Sequence, residues 1–279
     1  MAGGTHSLQD RYSAMVLEKL RAETIFYNLF NKTYEGNPKA GAVKIPVRDS
    51  EVVVSNYNIA SGVSLAQSAT TYQTLAIDKD KAVNELIDGY EASAVPDNLV
   101  ADRLDSAGYS MAKAFDDDLV ALILDSTNGG TVMSSTTAIT SSTAYDAMID
   151  AIQSAKKLGL RTEEMWLAVT NDTYGLLLKD KDHFVTAVEA GGNAVVRNGL
   201  VGYISGVAVY ETNNIADSSK VEFILGNRVF CHLVDEWSVP VAVRDLYDGA
   251  HIGASAVQGR RVYGTKISRP TTVLIKKHA

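Results

Sequence analysis

The chain has 279 residues, 46% apolar and 21% charged, the balance of a soluble globular protein with a sizeable core in one or two domains. Its 26 lysines and arginines against 33 aspartates and glutamates leave a net charge of −7, which argues against tight non-specific binding to nucleic acid, since that needs clustered positive charge to displace counterions. Cys231 is the single cysteine, so an intrachain disulfide and a cysteine-based metal site are excluded, and a reducing cytoplasm fits.

The opening MAGGTHSLQD lacks the charged-then-apolar pattern of a signal peptide, and no run of about 18 apolar residues predicts a membrane span. The Asn-x-Thr sequences at Asn31 and Asn171 read as chance matches. Tyr12, Met15, Val16 and Leu20, continued by Ile25, Phe26, Leu29 and Phe30, predict a helix within residues 9–30 of a polar N-terminal arm. Gly36, Asn37, Pro38 and Gly41 then break the chain. Val43, Ile45 and Val47 alternate as a short strand, and Pro46 puts it at an edge or an end, because proline has no ladder donor.

Residues 48–74 differ in kind. Val52, Val53 and Val54 are expected to anchor a strand, then Ser, Asn, Thr, Gln, Ala and Gly dominate until Leu75 and Ile77 alternate again. The stretch reads as an extended two-stranded loop with no obvious local support, and an isolated two-stranded ribbon is marginal in water.

The strongest helical pattern spans residues 97–125, where Val100, Leu104, Ala107, Met111, Phe115, Leu119 and Leu122 recur at three- and four-residue steps behind Pro96. Such a helix is roughly 40 Å long at 1.5 Å per residue. After a Gly/Ser/Thr linker, Thr143 and Asp146 suggest a capping box for a helix carrying Met148, Ile149, Ile152, Ala155 and Leu158 and stopped by Gly159. Met165–Val169 reads as a buried strand, and Asn171 or Asp172 as the cap of a short helix through Leu178. Gly199–Gly206 reads as a loop turning into a strand at Val207–Tyr210; further strands are expected at Val221–Leu225, Arg228–Leu233, Arg260–Ile267 and Thr271–Ile275.

Chemical motifs fail in turn. Asp78, Asp80 and Gly89 resemble part of a calcium loop, but Ala82 and Val83 stand where a ligand and a glycine are needed. Asp116, Asp117 and Asp118 suggest magnesium, yet successive helical residues point about 100° apart, so a solvated face or subunit ion pairs is expected. Cys231 and His232 would point to opposite faces of a strand and cannot pair, which makes Cys231 a buried structural residue. His6, His183, His251 and His278 show no metal-binding spacing, no Gly-x-Ser-x-Gly or phosphate-loop motif occurs, and the glycines at 191, 192 and 199 read as a loop tip. No catalytic, cofactor-binding or metal residue is nominated, no cofactor is expected, and enzymatic activity is not expected. A chain with two limbs lacking local cores, and no chemistry, is expected to hold other copies of itself.

The order of parts resembles the major capsid proteins of tailed bacteriophages, with the α+β Hong Kong 97-type fold. Lys44–Val47 and the polar reach to Ile77–Lys79 resemble that family's extended loop; Pro96–Leu124, with Phe115–Leu119, resembles its spine helix. Gly202–Tyr210 is similar to the turn and strand of its axial domain, and Val262–Ile267 to its closing peripheral strand. The resemblance implies an N-terminal arm at 1–42, an extended loop at 43–83, a peripheral domain with the spine helix at 84–127 and 237–268, and an axial domain at 128–236 and 269–279. It implies hexamers and pentamers of the chain tiling an icosahedral shell around double-stranded DNA, which a mildly acidic surface suits. Also implied are a portal and, because the chain begins almost directly with the arm, a separate scaffolding protein. The sequence leaves open whether a decoration protein is a further partner; assembly is expected in the host bacterial cytoplasm, with no membrane. Covalent crosslinks are not predicted, since Lys79, Lys81 and the asparagines match no such motif. The alternative is an encapsulin-like compartment shell; the polar length of residues 48–74 favours the phage.

Overall fold

The computed structural model describes residues 24–34, 41–48, 51–65, 67, 70–94, 99–179, 185–186, 200–215, 220–246 and 250–278. Most of the helix expected at 9–30 lies outside them, as do Pro96, the glycines at 191, 192 and 199, His6 and His183. The helices are α1 (Phe26–Leu29), α2 (Gly89–Ala94), α3 (Leu99–Leu124), α4 (Ala144–Lys157) and α5 (Asn171–Lys179). The strands are β1 (Ala42–Arg48), β2 (Thr70–Ala76), β3 (Lys79–Ile87), β4 (Thr131–Val132), β5 (Met165–Val169), β6 (Val185–Thr186), β7 (Leu200–Ile204), β8 (Val207–Glu211), β9 (Val221–Asn227), β10 (Cys231–Asp245), β11 (Ser255–Ile267) and β12 (Leu274–Lys277). No helix among the described residues is long and apolar enough to cross a membrane.

The chain divides into two units. The larger comprises Ala22–Lys81, Lys113–Ser238 and Arg261–Ala279 and is built on a seven-stranded mixed sheet, in the order β4-β12-β9-β5-β8-β7-β6. β5 is its central strand, antiparallel to β9 and parallel to β8. All five β5 residues are buried, and period-two alternation sends them to different cores. Met165, Leu167 and Val169 join Phe223, Leu225 and Val209 beneath Met148, Ile152 and Ala155 of α4 and Leu177 of α5. Trp166 and Ala168 face the opposite way, onto Phe115, Leu119 and Ile123 of α3 and Phe26 and Leu29 of α1. The result is three layers, with one sheet covered on both faces.

A buried carboxylate ties these layers together. Asp116 is fully buried and accepts hydrogen bonds from the backbone N–H of Phe26 at 2.8 Å and from Asn214 Nδ2 at 2.9 Å. It thereby caps α1, whose own N-cap residue makes no side-chain bond. Burial raises its pKa above the usual carboxylate range, against the lowering effect of Asn214 and of the N–H groups of Phe26, Tyr27 and Ile25.

The smaller unit, containing Ala82–Ala112 and Val239–Arg260, has its own core of Ile87, Ala107 and Val257, flanked by Val83, Val100, Leu104 and Val241. β10, β11 and β3 form a three-stranded sheet in that order. Arg103 and Glu85 pair across this unit at 3.3 Å, both well exposed.

Several local expectations change. Val52–Val54 carry no strand. The calcium-like segment is strand β3, whose charged residues hid its alternation from sequence reading. The capping box does not form: Thr143 makes no side-chain cap, and its Oγ1 accepts instead from Thr140 N at 3.0 Å. α5 is capped by Thr170, whose Oγ1 accepts from Thr173 N at 3.4 Å, rather than by Asn171 or Asp172. Leu200–Gly206 is not a loop entering a strand: β7 and β8 form a hairpin across Ser205 (φ 50°) and Gly206 (φ 83°), successive left-handed residues of a tight turn. Arg228–Phe230 form a turn before β10, and a single 3-10 turn at Pro270–Thr272 precedes β12. Met111, on the expected apolar stripe, is only half-buried and belongs to none of the core clusters.

Asp116→Ala would strand two buried donors, and we expect a loss of about 2–4 kcal/mol in urea unfolding, with Asp116→Asn losing less because an acceptor remains. Gly226 lies opposite Trp166 in the β5–β9 register, and a Cβ there would overlap the indole ring. Gly226→Val should therefore lower the melting temperature, by roughly 1–3 kcal/mol of overpacking strain, whereas Gly108→Ala, with open space at its Cβ, should not.

Candidate functional site

Beyond its two-stranded ribbon the larger unit carries a run of exposed apolar side chains. β1 and β2 pair antiparallel from Ala42↔Ala76 to Arg48↔Thr70, with Pro46 opposite Tyr72. Each strand buries one side chain in a small core, where Ile45 and Leu75 pack with Val234 of β10 and Val43 packs against them. Beyond the ribbon the described residues 51–65 are almost wholly exposed. Val52 and Val53 are 71% and 70% accessible, Val54 95%, Ile59 93% and Leu65 103%. Between Glu51 and Asp78 the sequence has no charged residue. Asn58 closes a small turn, accepting from Gly62 N through its carbonyl and from Ala60 N through Oδ1, both at 2.8 Å. A contiguous uncharged limb carrying this many bare apolar side chains is the signature of a protein–protein contact.

The sequence suggested no support for this limb; tertiary structure supplies one. Lys266 Nζ donates to Thr74 O at 2.6 Å, and Gln73 Nε2 donates to Ser268 O at 3.2 Å. Gly264 of β11 lies so close to the Ala76 carbonyl that a Cβ would collide with it. Behind this seat is His232, buried, with Nε2 at 2.8 Å from Ser268 Oγ and its ring edge-on to Tyr34 at 5.2 Å. Burial, and then the nearby Lys266 charge, pull its pKa down to about 4. His232 is no base for Cys231, and its buried role at the seat is invisible in the sequence because Ser268 and Tyr34 are distant in the chain.

The nominated chemistry resolves into structural bonding. Asp116, Asp117 and Asp118 do fan apart, but they are not a solvated face. Asp116 is buried as described; Asp117 pairs with Lys113 at 2.7 Å. Asp118 pairs with Lys81 at 3.1 Å and accepts from Tyr263 Oη at 2.7 Å. Cys231 is buried, and desolvation pushes its thiol up to about 12, so it is inert at neutral pH. His251 is exposed, and His278 Nδ1 stands 3.6 Å from Glu222 Oε1. Among the described residues no group of three or more His, Cys, Asp or Glu is placed to hold a metal. An open cleft of about 600 Å³ beside the ribbon is lined by Gln73, Asp78, Lys79, Asp118 and Lys266 among others, a mixed-charge surface without histidine or cysteine.

Comparison with solved structures shows where such a fold occurs. The chain is similar to one from Mycobacterium phage Che8, at 24% identity over 96% of both chains with a TM-score of 0.77. It is similar to the capsid structure of Cyanophage P-SCSP1u, at 16% identity over 97% of this chain and 93% of that one, with a TM-score of 0.77. It is also similar to the mature capsid of bacteriophage PhiM1, at 15% identity over 98% and 92%, with a TM-score of 0.71. At these identities the likeness establishes the α+β fold. No curated protein matches the chain. A family model described as phage capsid protein matches residues 91–275. That match spans well over half of the sequence, so the chain belongs to the phage capsid protein family and is a major capsid protein, a subunit of the virion capsid.

Proposed function

We propose that copies of this chain form hexamers and pentamers that tile an icosahedral shell around double-stranded phage DNA. Residues 1–42 are the arm and 43–83 the extended loop, both reaching over neighbouring subunits. Residues 84–127 with 237–268 make the peripheral domain, and 128–236 with 269–279 the axial domain at the ring centres. A separate scaffolding protein, a portal and a decoration protein act with it, and assembly takes place in the host bacterial cytoplasm. The alternative of a compartment shell with protein cargo has no observation in its favour.

The observation that carries this reading is the limb, whose valines, Ile59 and Leu65 stand bare in the single chain. Burying apolar surface yields about 25 cal/mol per Å², so covering the limb on a neighbour favours assembly before association costs are met. Each such contact is modest, but a closed shell makes many at once. The net charge of −7 suits an enclosing wall better than a DNA-gripping one.

Negative-stain electron microscopy of the chain, alone and with its neighbouring genes, tests the reading. Closed shells or rings are expected, and a uniform monomer under both conditions would overturn it. A variant joining Arg48 to Thr70 by a short turn keeps the ribbon and its seat. It should retain the wild-type melting temperature and lose stable shells; normal particles would mean the limb is dispensable. Val54→Asp, at a position 95% exposed, should change unfolding stability by less than about 0.5 kcal/mol while lowering shell yield.

A further inference from the structure

His232 stands at a junction of four segments, and none of its partners there can accept a second proton from it. Ser268 Oγ gives its proton to the Phe230 carbonyl at 3.3 Å, so it accepts from His232 Nε2–H. His232 Nδ1 is buried and has no hydrogen-bond partner. The bridge between Asn31 and His232 ties in the segment before β1, with Leu233 N donating to Asn31 O at 2.9 Å. That segment presents Tyr34, the titratable ring that packs edge-on against the imidazole. β11 presents Lys266, the charged side chain that acts on His232 among the described residues, and it repels a second positive charge. From the ribbon, Gln73 binds the Ser268 carbonyl, and Thr74 is held by the same Lys266. Tyr34 also packs into the small core of Ile45, Leu75 and Val234 that seats the ribbon.

We propose that His232 is an acid-sensitive latch: a proton on Nδ1 would be a buried donor without an acceptor, within the field of the Lys266 charge, so acid releases residues 31–34 and the base of the β1–β2 ribbon while the seven-stranded sheet stays closed. The sign follows from the depressed pKa. The open junction takes up a proton near the ordinary histidine value of about 6.5, and the closed junction only near 4. The closing free energy is fully present above about pH 6.5 and drains away as pH falls towards 4. The opening equilibrium should rise about tenfold per pH unit across that window, roughly a hundredfold by pH 4.5. The inference concerns the folded subunit and does not depend on the geometry of the shell.

Hydrogen–deuterium exchange on the full chain, corrected for intrinsic rates and compared in one assembly state, tests it. In the wild type, protection at Thr70–Ala76 and residues 31–34 should fall between pH 6.5 and 4.5, while β5 stays protected. His232→Gln keeps a donor for Ser268 and cannot titrate, and its protection should not change over the same range. Equal loss in His232→Gln, simultaneous loss in β5, or pH-independent protection in the wild type would each overturn the latch. Should His232→Gln fail to fold, imidazole NMR of the wild type decides: a His232 titration near pH 4 that coincides with the exchange change supports the proposal, and a titration near 6.5 in the folded state overturns it.

Discussion

Phe115, Leu119, Val120 and Ile123 occupy the C-terminal half of the spine helix α3, and each is at least 98% buried. They lie between the sheet residues Trp166, Ala168 and Ile224 and the N-terminal segment residues Phe26 and Leu29. A helix exposed on one side could have been amphipathic in the ordinary way; here adjacent residues such as Leu119 and Val120 are both buried, so the helix is covered on more than one face. Asp116 sits inside this packing because the short helix α1 has no cap of its own, and its buried carboxyl group is tolerated through the two donors it satisfies. Sheet, spine and N-terminal segment therefore depend on one another within the larger unit.

The limb follows a different economy. Its ribbon contributes Ile45 and Leu75 to a core completed by Val234, plus hydrogen bonds from Lys266 and Gln73, and everything described beyond the ribbon faces outward. A closed monomer would place such side chains inside; a subunit that assembles can leave them bare until a neighbour covers them. The lack of charge between Glu51 and Asp78 suits burial on assembly, because no ion has to be desolvated. In the proposed shell the body supplies position and the limb supplies adhesion.

Some of this was legible in the residues. The spine helix announces itself through apolar spacing, Met165–Val169 through an unbroken apolar run, and the ribbon through Val43, Ile45 and Val47 against Leu75 and Ile77. Other parts were hidden for identifiable reasons. β3 alternates, but lysines and a glutamate occupy its less exposed positions beside Val83 and Ile87 and find partners elsewhere in the chain: Lys81 at Asp118 and Glu85 at Arg103. β10 runs four buried residues into Asp235 and Glu236 and then past Pro240, which masked its length of 15 residues. Asp116 looked like its two acidic neighbours, and nothing local distinguishes it from them.

The sequence by itself determined the local periods, the helix stop at Gly159, the neutrality of the limb and the absence of any recognisable catalytic motif, because these depend on residues within a few positions of one another. Tertiary structure decided which charged side chains are buried, where the ribbon is seated and why His232 is neutral. Those properties arise from groups such as Phe26 with Asp116, Thr74 with Lys266 and Tyr34 with His232, separated by about 90 to 200 residues and brought together only when the sheet is covered on both faces.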